Sequence, residues 1–257
     1  MMLKDKIAVI YGAGGAIGGA VARAFASEGA RVFLTGHHRT TVEAVARDIV
    51  AAGVAEVDAL NEQAIDKHLQ SVIDKAGRVD ISFNAVGIAN TKGLGIPLVE
   101  LDAEKFSQLI TAYATSYFLT ARLAARRMIA NKSGVIMTVT ALPARTGTPL
   151  NGGYGSALAA KEALTRDLST ELAPHGIRVV NLRPHGMPET PVMKRLHEIK
   201  ASKITYEQFQ EYLANMSHPK RVMKLAELVN VAVFMASDKA SGMTGTTVNL
   251  TMGGVAD

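Results

Sequence analysis

Short, β-branched apolar runs alternate along this chain with longer amphipathic stretches. The runs Ile7–Tyr11, Arg31–Thr35, Ala55–Val57, Ile81–Asn84, Val135–Val139, Arg178–Leu182 and Thr247–Leu250 have the length and residue types of buried strands. Between them, Ile17–Glu28, Thr40–Ala52, Glu62–Ala76, Ala103–Ala130, Gly155–Ala173 and Ala226–Ala236 carry the apolar spacing of helices with one covered face. Glycines at 29, 53, 77 and 176 stand where helices should end. Strands that alternate with helices predict the α/β class: a doubly wound parallel sheet of about seven strands, helices on both faces and right-handed crossovers.

One segment breaks the rhythm. Pro184 to Pro219 carries four prolines around a weak helical pattern at Lys194–Asn215. A long insertion after a strand predicts a lid or binding loop rather than a separate domain. We therefore expect one domain over residues 1–257, with a lid-like insertion around 187–217.

Composition narrows the chemistry. The 257 residues are 48% hydrophobic and 20% charged, enough to bury a full core. Without cysteine there is no disulfide, thiolate nucleophile or Cys-ligated metal, and the expectation is a cytoplasmic protein. The net charge of +5 is scattered, its densest patch being Lys220, Arg221 and Lys224 with Glu227 close by; aromatics are 5% and Trp is absent, so no nucleic-acid surface is expected. No apolar run is long enough to span a bilayer, the polar start Met1–Lys6 shows no signal peptide, and no His/carboxylate pattern suggests a metal.

The first strand runs into Gly12-Ala13-Gly14-Gly15-Ala16-Ile17-Gly18-Gly19 and then a helix. Such a turn lets the backbone approach a pyrophosphate without a Cβ in the way and offers free helix N–H groups to it. Gly12, Gly14, Gly15, Ile17 and Gly18 are thus candidate dinucleotide-binding residues. An acid at the end of the second strand would hold the adenosine ribose of NAD(H). None occurs between Glu28 and Glu43; the strand ends in Gly36-His37-His38-Arg39. His37, His38 and Arg39 suit a 2′-phosphate, which favours NADP(H) over NAD(H).

With these motifs in order the chain resembles the short-chain dehydrogenase/reductase family over nearly its whole length. The family's T-G-x-x-x-G-x-G turn matches Tyr11 to Gly18, with Tyr11 for the leading Thr and Ala16 for the middle glycine. Asp58 and Ala59 match the adenine contact, Asn84-Ala85-Val86-Gly87 the N-N-A-G signature, and Pro184-His185-Gly186 with Thr190 the P-G and Thr after the sixth strand. Ala236-Ser237-Asp238 and Thr244-Gly245 match the closing helix and strand. The resemblance implies a Rossmann-type fold, a nicotinamide cofactor and a small-molecule substrate. It also implies a homotetramer, with a dimer as the alternative, built on the long fourth and fifth helices.

The family's catalytic set is a Tyr, a Lys four residues later, a Ser and an Asn; the Tyr moves the proton and the Lys lowers its pKa. Here Tyr154 falls on the Tyr, but Leu158 takes the Lys place, Ala141 the Ser place and Tyr113 the Asn place. Lys161 lies seven residues after Tyr154, so it leaves the same helical face about 10.5 Å along the axis. That Tyr-to-Lys spacing occurs in the enoyl-acyl-carrier-protein reductases, a divergent branch of the family. Thr140 supplies a hydroxyl in place of Ser if the loop after it bulges by one residue.

The sequence thus predicts an NADP(H)-dependent oxidoreductase that moves hydride between nicotinamide and a carbonyl, alcohol or activated alkene. Tyr154, Lys161 and Thr140 are its candidate catalytic residues. Tyr154 and Lys161 also face the nicotinamide ribose, and the apolar, Met-bearing pocket loops suggest a hydrophobic substrate. His185, Arg145 and Asn151 are weaker candidates near the substrate. The alternative is a nucleotide-binding homologue with impaired catalysis, acting as a sensor or partner subunit.

Overall fold

The computed structural model describes residues 1–89 and 92–256. Seven strands, β1 (Ile7–Tyr11), β2 (Arg31–Gly36), β3 (Gly53–Glu56), β4 (Ile81–Asn84), β5 (Gly134–Val139), β6 (Ile177–Pro184) and β7 (Thr246–Leu250), form one parallel sheet in the order 3-2-1-4-5-6-7. The helices are α1 (Ala16–Ser27), α2 (Arg39–Ala46), α3 (Glu62–Ala76), α4 (Ala103–Met128), α5 (Tyr154–Leu172), α6 (Pro191–Lys200), α7 (Tyr206–Asn215) and α8 (Leu225–Ala236).

The period of two along each strand sorts its side chains between two cores. On β1, Ile7, Val9 and Tyr11 pack against α3, α4 and α5 through Ile65, Leu69, Leu123 and Leu168. Ala8 and Ile10 face the other way, toward Val21 and Phe25 of α1, Val42 of α2 and Leu228 of α8. Both faces are covered, so the strands are apolar throughout. Helix ends follow local chemistry: Asn61 Oδ1 accepts from the Ala64 amide at 2.9 Å, and Asp102 accepts from the amides of Glu104 and Lys105 at 2.9 and 3.2 Å.

The predicted elements are present, with shifts that have physical causes. The second helix was expected to reach Ala52 but ends at Ala46; the chain there turns to give Asp48 to Arg23, at 2.6 Å, and then enters β3. The weak pattern at 194–215 is two helices. They separate where Thr205 and Gln208 close a capping box that starts α7.

The sheet reverses its winding between β1 and β4. There the chain leaves toward opposite faces and opens a crevice at the carboxyl ends of the strands. The Gly12 turn, the β2–α2 junction, the segment after β3 and Asn84–Gly87 all lie along that edge.

Candidate active site

The turn after β1 is shaped by close backbone packing. Gly12 has φ +76°, and a Cβ there would lie 2.6 Å from the Ala85 carbonyl oxygen, so only glycine fits against the loop after β4. Gly14 is pressed by the start of α2, where an added Cβ would meet Thr41 Oγ1 at 2.3 Å. Helix α1 starts after Gly15 with no side-chain cap and no acid in its first turn, so its leading N–H groups remain available to an anion. Ile17 is half-buried, and Gly18 is buried beneath the turn. This backbone fits a pyrophosphate: a cradle closed to a Cβ, facing uncapped amides.

At the end of β2, His37 and His38 are exposed and stack edge to face, ring centroids 4.8 Å apart. Arg39 is not simply a cation held out for a phosphate. Its Nε donates to Glu43 at 2.7 Å, and its backbone N–H donates to Glu56 Oε2 at 3.2 Å. Glu56 lies on the third strand, beyond the second-strand end where an acid for the ribose is expected. Parallel pairing sets Gly36 opposite Glu56, and that register brings the carboxylate to the junction.

The remaining nucleotide candidates divide into exposed and structural groups. Asp58 is exposed and turns the chain by accepting from the Leu60 amide at 2.9 Å, while Ala59 is buried behind it. Asn84 is buried and donates to Ser116 Oγ at 3.2 Å and Thr120 Oγ1 at 3.0 Å, tying β4 to α4. Its role is to hold the loop Ala85, Val86, Gly87 in place. Pro184 pairs with Leu250, Gly186 lies against Met193 and Leu213, and the Thr190 hydroxyl donates to the Met187 carbonyl at 2.8 Å.

Tyr154 opens α5 beside Tyr113 of α4, with ring centroids 5.8 Å apart. The departures from the family's catalytic set are not scattered. Leu158 and Tyr113 share one small apolar cluster with Leu109 and Ala157, and Ala141, Ile88 and Tyr154 itself pack against it. Where the family has a polar relay, this chain has a greasy wall with two phenols. Burial raises the Tyr154 pKa, and the charge and hydrogen bond of Tyr113 raise it further.

Lys161 is buried on α5. Its Nζ donates to the Val139 carbonyl at 3.0 Å and lies 5.6 Å from the ring centroids of both Tyr113 and Tyr117. With no carboxylate in contact among the described residues, burial lowers its pKa from 10.5 to about 7.

Thr140 is not brought to Tyr154. The loop does not bulge; Ala141 packs toward the phenols, and the Thr140 side chain turns to the interior between sheet and α5. There its hydroxyl donates to Glu162 Oε1 at 3.0 Å and accepts from Asn181 Nδ2 at 2.8 Å. Arg183 holds the same carboxylate through Nε at 2.8 Å and Nη2 at 2.9 Å. Nothing along the chain marks this buried ion pair, since neither residue follows a spacing that signals contact. The hydroxyl beside Tyr154 belongs to Tyr113.

Three loops meet above the site. Lys200 Nζ at the end of α6 donates to Asn151 Oδ1 at 2.8 Å, and the Gly95 amide donates to the Leu150 carbonyl at 2.9 Å. His185 is buried at the end of β6, its ring next to the Gly254 backbone and near Leu142. Among the described residues no group of His, Asp or Glu is placed to hold a metal ion, and no helix is long and apolar enough to cross a membrane.

A doubly wound parallel sheet, a glycine cradle at its switch point and a tyrosine at the start of the fifth helix define a nicotinamide-dependent oxidoreductase of the Rossmann class. The family model described as enoyl-(acyl carrier protein) reductase matches residues 12–254, and the chain belongs to the short-chain dehydrogenase/reductase family. It is 30% identical to secoisolariciresinol dehydrogenase of Forsythia intermedia over 95% of this chain and 86% of that one. It is 28% identical to sorbitol-6-phosphate 2-dehydrogenase of Escherichia coli over 98% and 99%. Its fold superposes on the sorbitol-6-phosphate 2-dehydrogenase of Erwinia amylovora with TM-score 0.89 at 26% identity, covering 97% of this chain and all of that one. An NAD+-bound xylitol dehydrogenase gives TM-score 0.87 at 25% identity, covering 96% and 98%. The chain is therefore an oxidoreductase of the type that interconverts alcohols and carbonyls.

Proposed function

We propose that this enzyme transfers hydride between NADP(H) and a carbonyl or alcohol carbon of a small, largely hydrophobic substrate. The observation that carries the proposal is Tyr154, kept at the start of α5 while its neighbours have changed. The nicotinamide, when bound, supplies or receives the hydride. Tyr154 gives its phenolic proton to the substrate oxygen during reduction and takes it back during oxidation. The Gly12 turn and the amides of α1 hold the pyrophosphate, Asp58 meets the adenine, and Asn84 keeps its loop against the turn.

Lys161 takes the supporting role of a cation behind the tyrosines and toward the nicotinamide ribose. Its reach to Val139 and its place over the Tyr113 ring support that assignment. The helices α6 and α7 act as a lid, anchored to the loop before Tyr154 by Lys200. The chain assembles as a homotetramer or a dimer. The names of its relatives point to secondary alcohols and their ketones as the first substrates to try.

The preference for NADP(H) rests on His37, His38 and Arg39. A second reading, NAD(H), is favoured by Glu43 and Glu56, which engage Arg39 and bring two carboxylates to the β2–α2 junction. Fluorescence titration with NADPH and NADH decides between them. The main proposal is tested by Tyr154→Phe: turnover is lost while nucleotide affinity stays. Unchanged turnover would remove Tyr154 from the mechanism.

A further inference from the structure

The odd-numbered residues of β6 climb the sheet face that α5 covers. Ile177 and Val179 begin that face in the core. Asn181 Nδ2 then donates to Thr140 Oγ1 at 2.8 Å and Thr247 Oγ1 at 3.2 Å, and Arg183 is held by both oxygens of Glu162. His185 comes next. Its backbone N–H donates to the Leu250 carbonyl at 3.1 Å, which continues the pairing with β7, and the residue is only 2% exposed. Among the described residues, however, neither Nδ1 nor Nε2 has a hydrogen-bond partner. The Gly186 backbone opposes the downward pull of burial on the ring's pKa, but it is not placed to bond either nitrogen.

A buried imidazole without partners is a cost that calls for an explanation. Its surroundings point to the substrate. The pairing of β5 with β6 extends to the Thr140 amide, which donates to the Leu182 carbonyl at 2.8 Å. That brings Ala141 and Leu142 beside Pro184 and His185, neighbouring strands being about 4.8 Å apart. Ala141 packs against the Tyr154 cluster, while Leu142 and the His185 ring both border Gly254. Gly186 lies against Met193 of α6 and Leu213 of α7, so His185 stands at the root of the lid. The cluster around Tyr154 is apolar apart from its two phenols. A second polar group on a substrate therefore finds its partner on the β6 side.

We infer that His185 is a specificity-determining residue whose imidazole hydrogen-bonds a hydroxyl on the carbon next to the reacting one, so that the substrates are α-hydroxy ketones and the vicinal diols they form. A neutral imidazole offers one N–H and one lone pair, and a hydroxyl can answer either. Tyr154 takes the reacting oxygen, His185 the neighbouring one, and the carbon skeleton lies on the apolar wall. In reduction the carbonyl carbon gains hydride and its oxygen a proton; the second hydroxyl is unchanged. This rests on the alcohol–carbonyl reading with Tyr154 as proton donor.

The test is reduction, with NADPH and with NADH, of two matched pairs of ketones: 3-hydroxybutan-2-one against butan-2-one, and 2-hydroxypropiophenone against propiophenone. The wild type should favour the hydroxylated member of at least one pair about tenfold in kcat/KM, the worth of one hydrogen bond to a buried group. His185→Leu should abolish that preference, chiefly through KM. His185→Gln, which keeps a donor and an acceptor, should retain much of it. Because the ring is unpartnered in the free enzyme, His185→Leu should not lower the melting temperature. The inference is overturned if the wild type shows no preference in either pair, if it reduces none of the four ketones, or if the preference survives in His185→Leu. It is also overturned if His185→Leu melts well below the wild type and His185→Gln loses the preference, since the ring is then structural. Tyr154→Phe separates the two ideas. If Tyr154 is required and the paired ketones react alike, only the role of His185 falls; if Tyr154→Phe matches the wild type, the proton-donor reading has failed and this inference falls with it.

Discussion

Lys161 places its ammonium 3.0 Å from the carbonyl oxygen of Val139, with no carboxylate in contact among the described residues. A buried lysine of this kind binds fewer protons folded than unfolded between about pH 7 and 10.5. Stability therefore rises with pH across that window, and the burial cost is complete below it. Replacing Lys161 by Met should stabilise the chain by an amount on the order of a few kcal/mol at acid pH, with the gain shrinking toward pH 10.5. Thermal melts over that range check the sign. The same variant should weaken nucleotide binding about tenfold if the ammonium supports the ribose, the worth of one charge-assisted contact. Gain of stability with unchanged affinity would leave Lys161 a packing residue.

Glu162 and Arg183 form an ion pair with both side chains almost fully buried, at 2.8 Å. Arg183→Met leaves the Glu162 carboxylate facing Thr140 alone among the partners described above, and should cost about 3–5 kcal/mol. The double variant Glu162→Leu with Arg183→Met should recover most of that loss, because the desolvation cost disappears with the pair. Urea titrations of the two proteins measure the difference. A double variant no more stable than the single would show that the pair adds stability beyond its own burial cost.

Glu43 and Glu56 meet Arg39 from two different elements. Substituting both by Gln breaks the ion pair that Glu43 makes with the Arg39 guanidinium and removes two charges, Glu56 being held at the Arg39 backbone N–H, that repel a 2′-phosphate. The ratio of NADPH to NADH affinity should rise roughly fivefold to tenfold, about 1 kcal/mol at an exposed site. The measurement needs only nucleotide and protein. An unchanged ratio would place the adenosine ribose away from this junction.

Leu158 and Ala141 sit in the wall around Tyr154. Installing the family's residues, Leu158→Lys with Ala141→Ser, puts a new ammonium into a fully buried place. The melting temperature should fall by the equivalent of at least about 2 kcal/mol. Turnover of alcohols should not exceed that of the wild type. Activity that appears only in the restored protein would instead favour the impaired, nucleotide-sensing homologue.

Much of the site was legible along the chain because its parts are local. The Gly12–Gly18 turn needs its glycines at fixed offsets, and Tyr154 stands at a recognisable distance from a strand end. Other parts are products of strand register and helix rotation. Glu56 meets Arg39 only through the pairing of β3 with β2. Thr140 and Ala141 are adjacent in sequence, yet alternation sends one to Glu162 and the other toward Tyr154.

The sequence by itself determined the class of fold, the order of elements and the nucleotide cradle, because periodicity and turn chemistry act over a few residues. Only the tertiary structure decided which groups surround the reacting tyrosine. Contacts between α4, α5 and β5 are long-range, and packing rather than spacing chose a phenol, a buried amine and an apolar wall as its company.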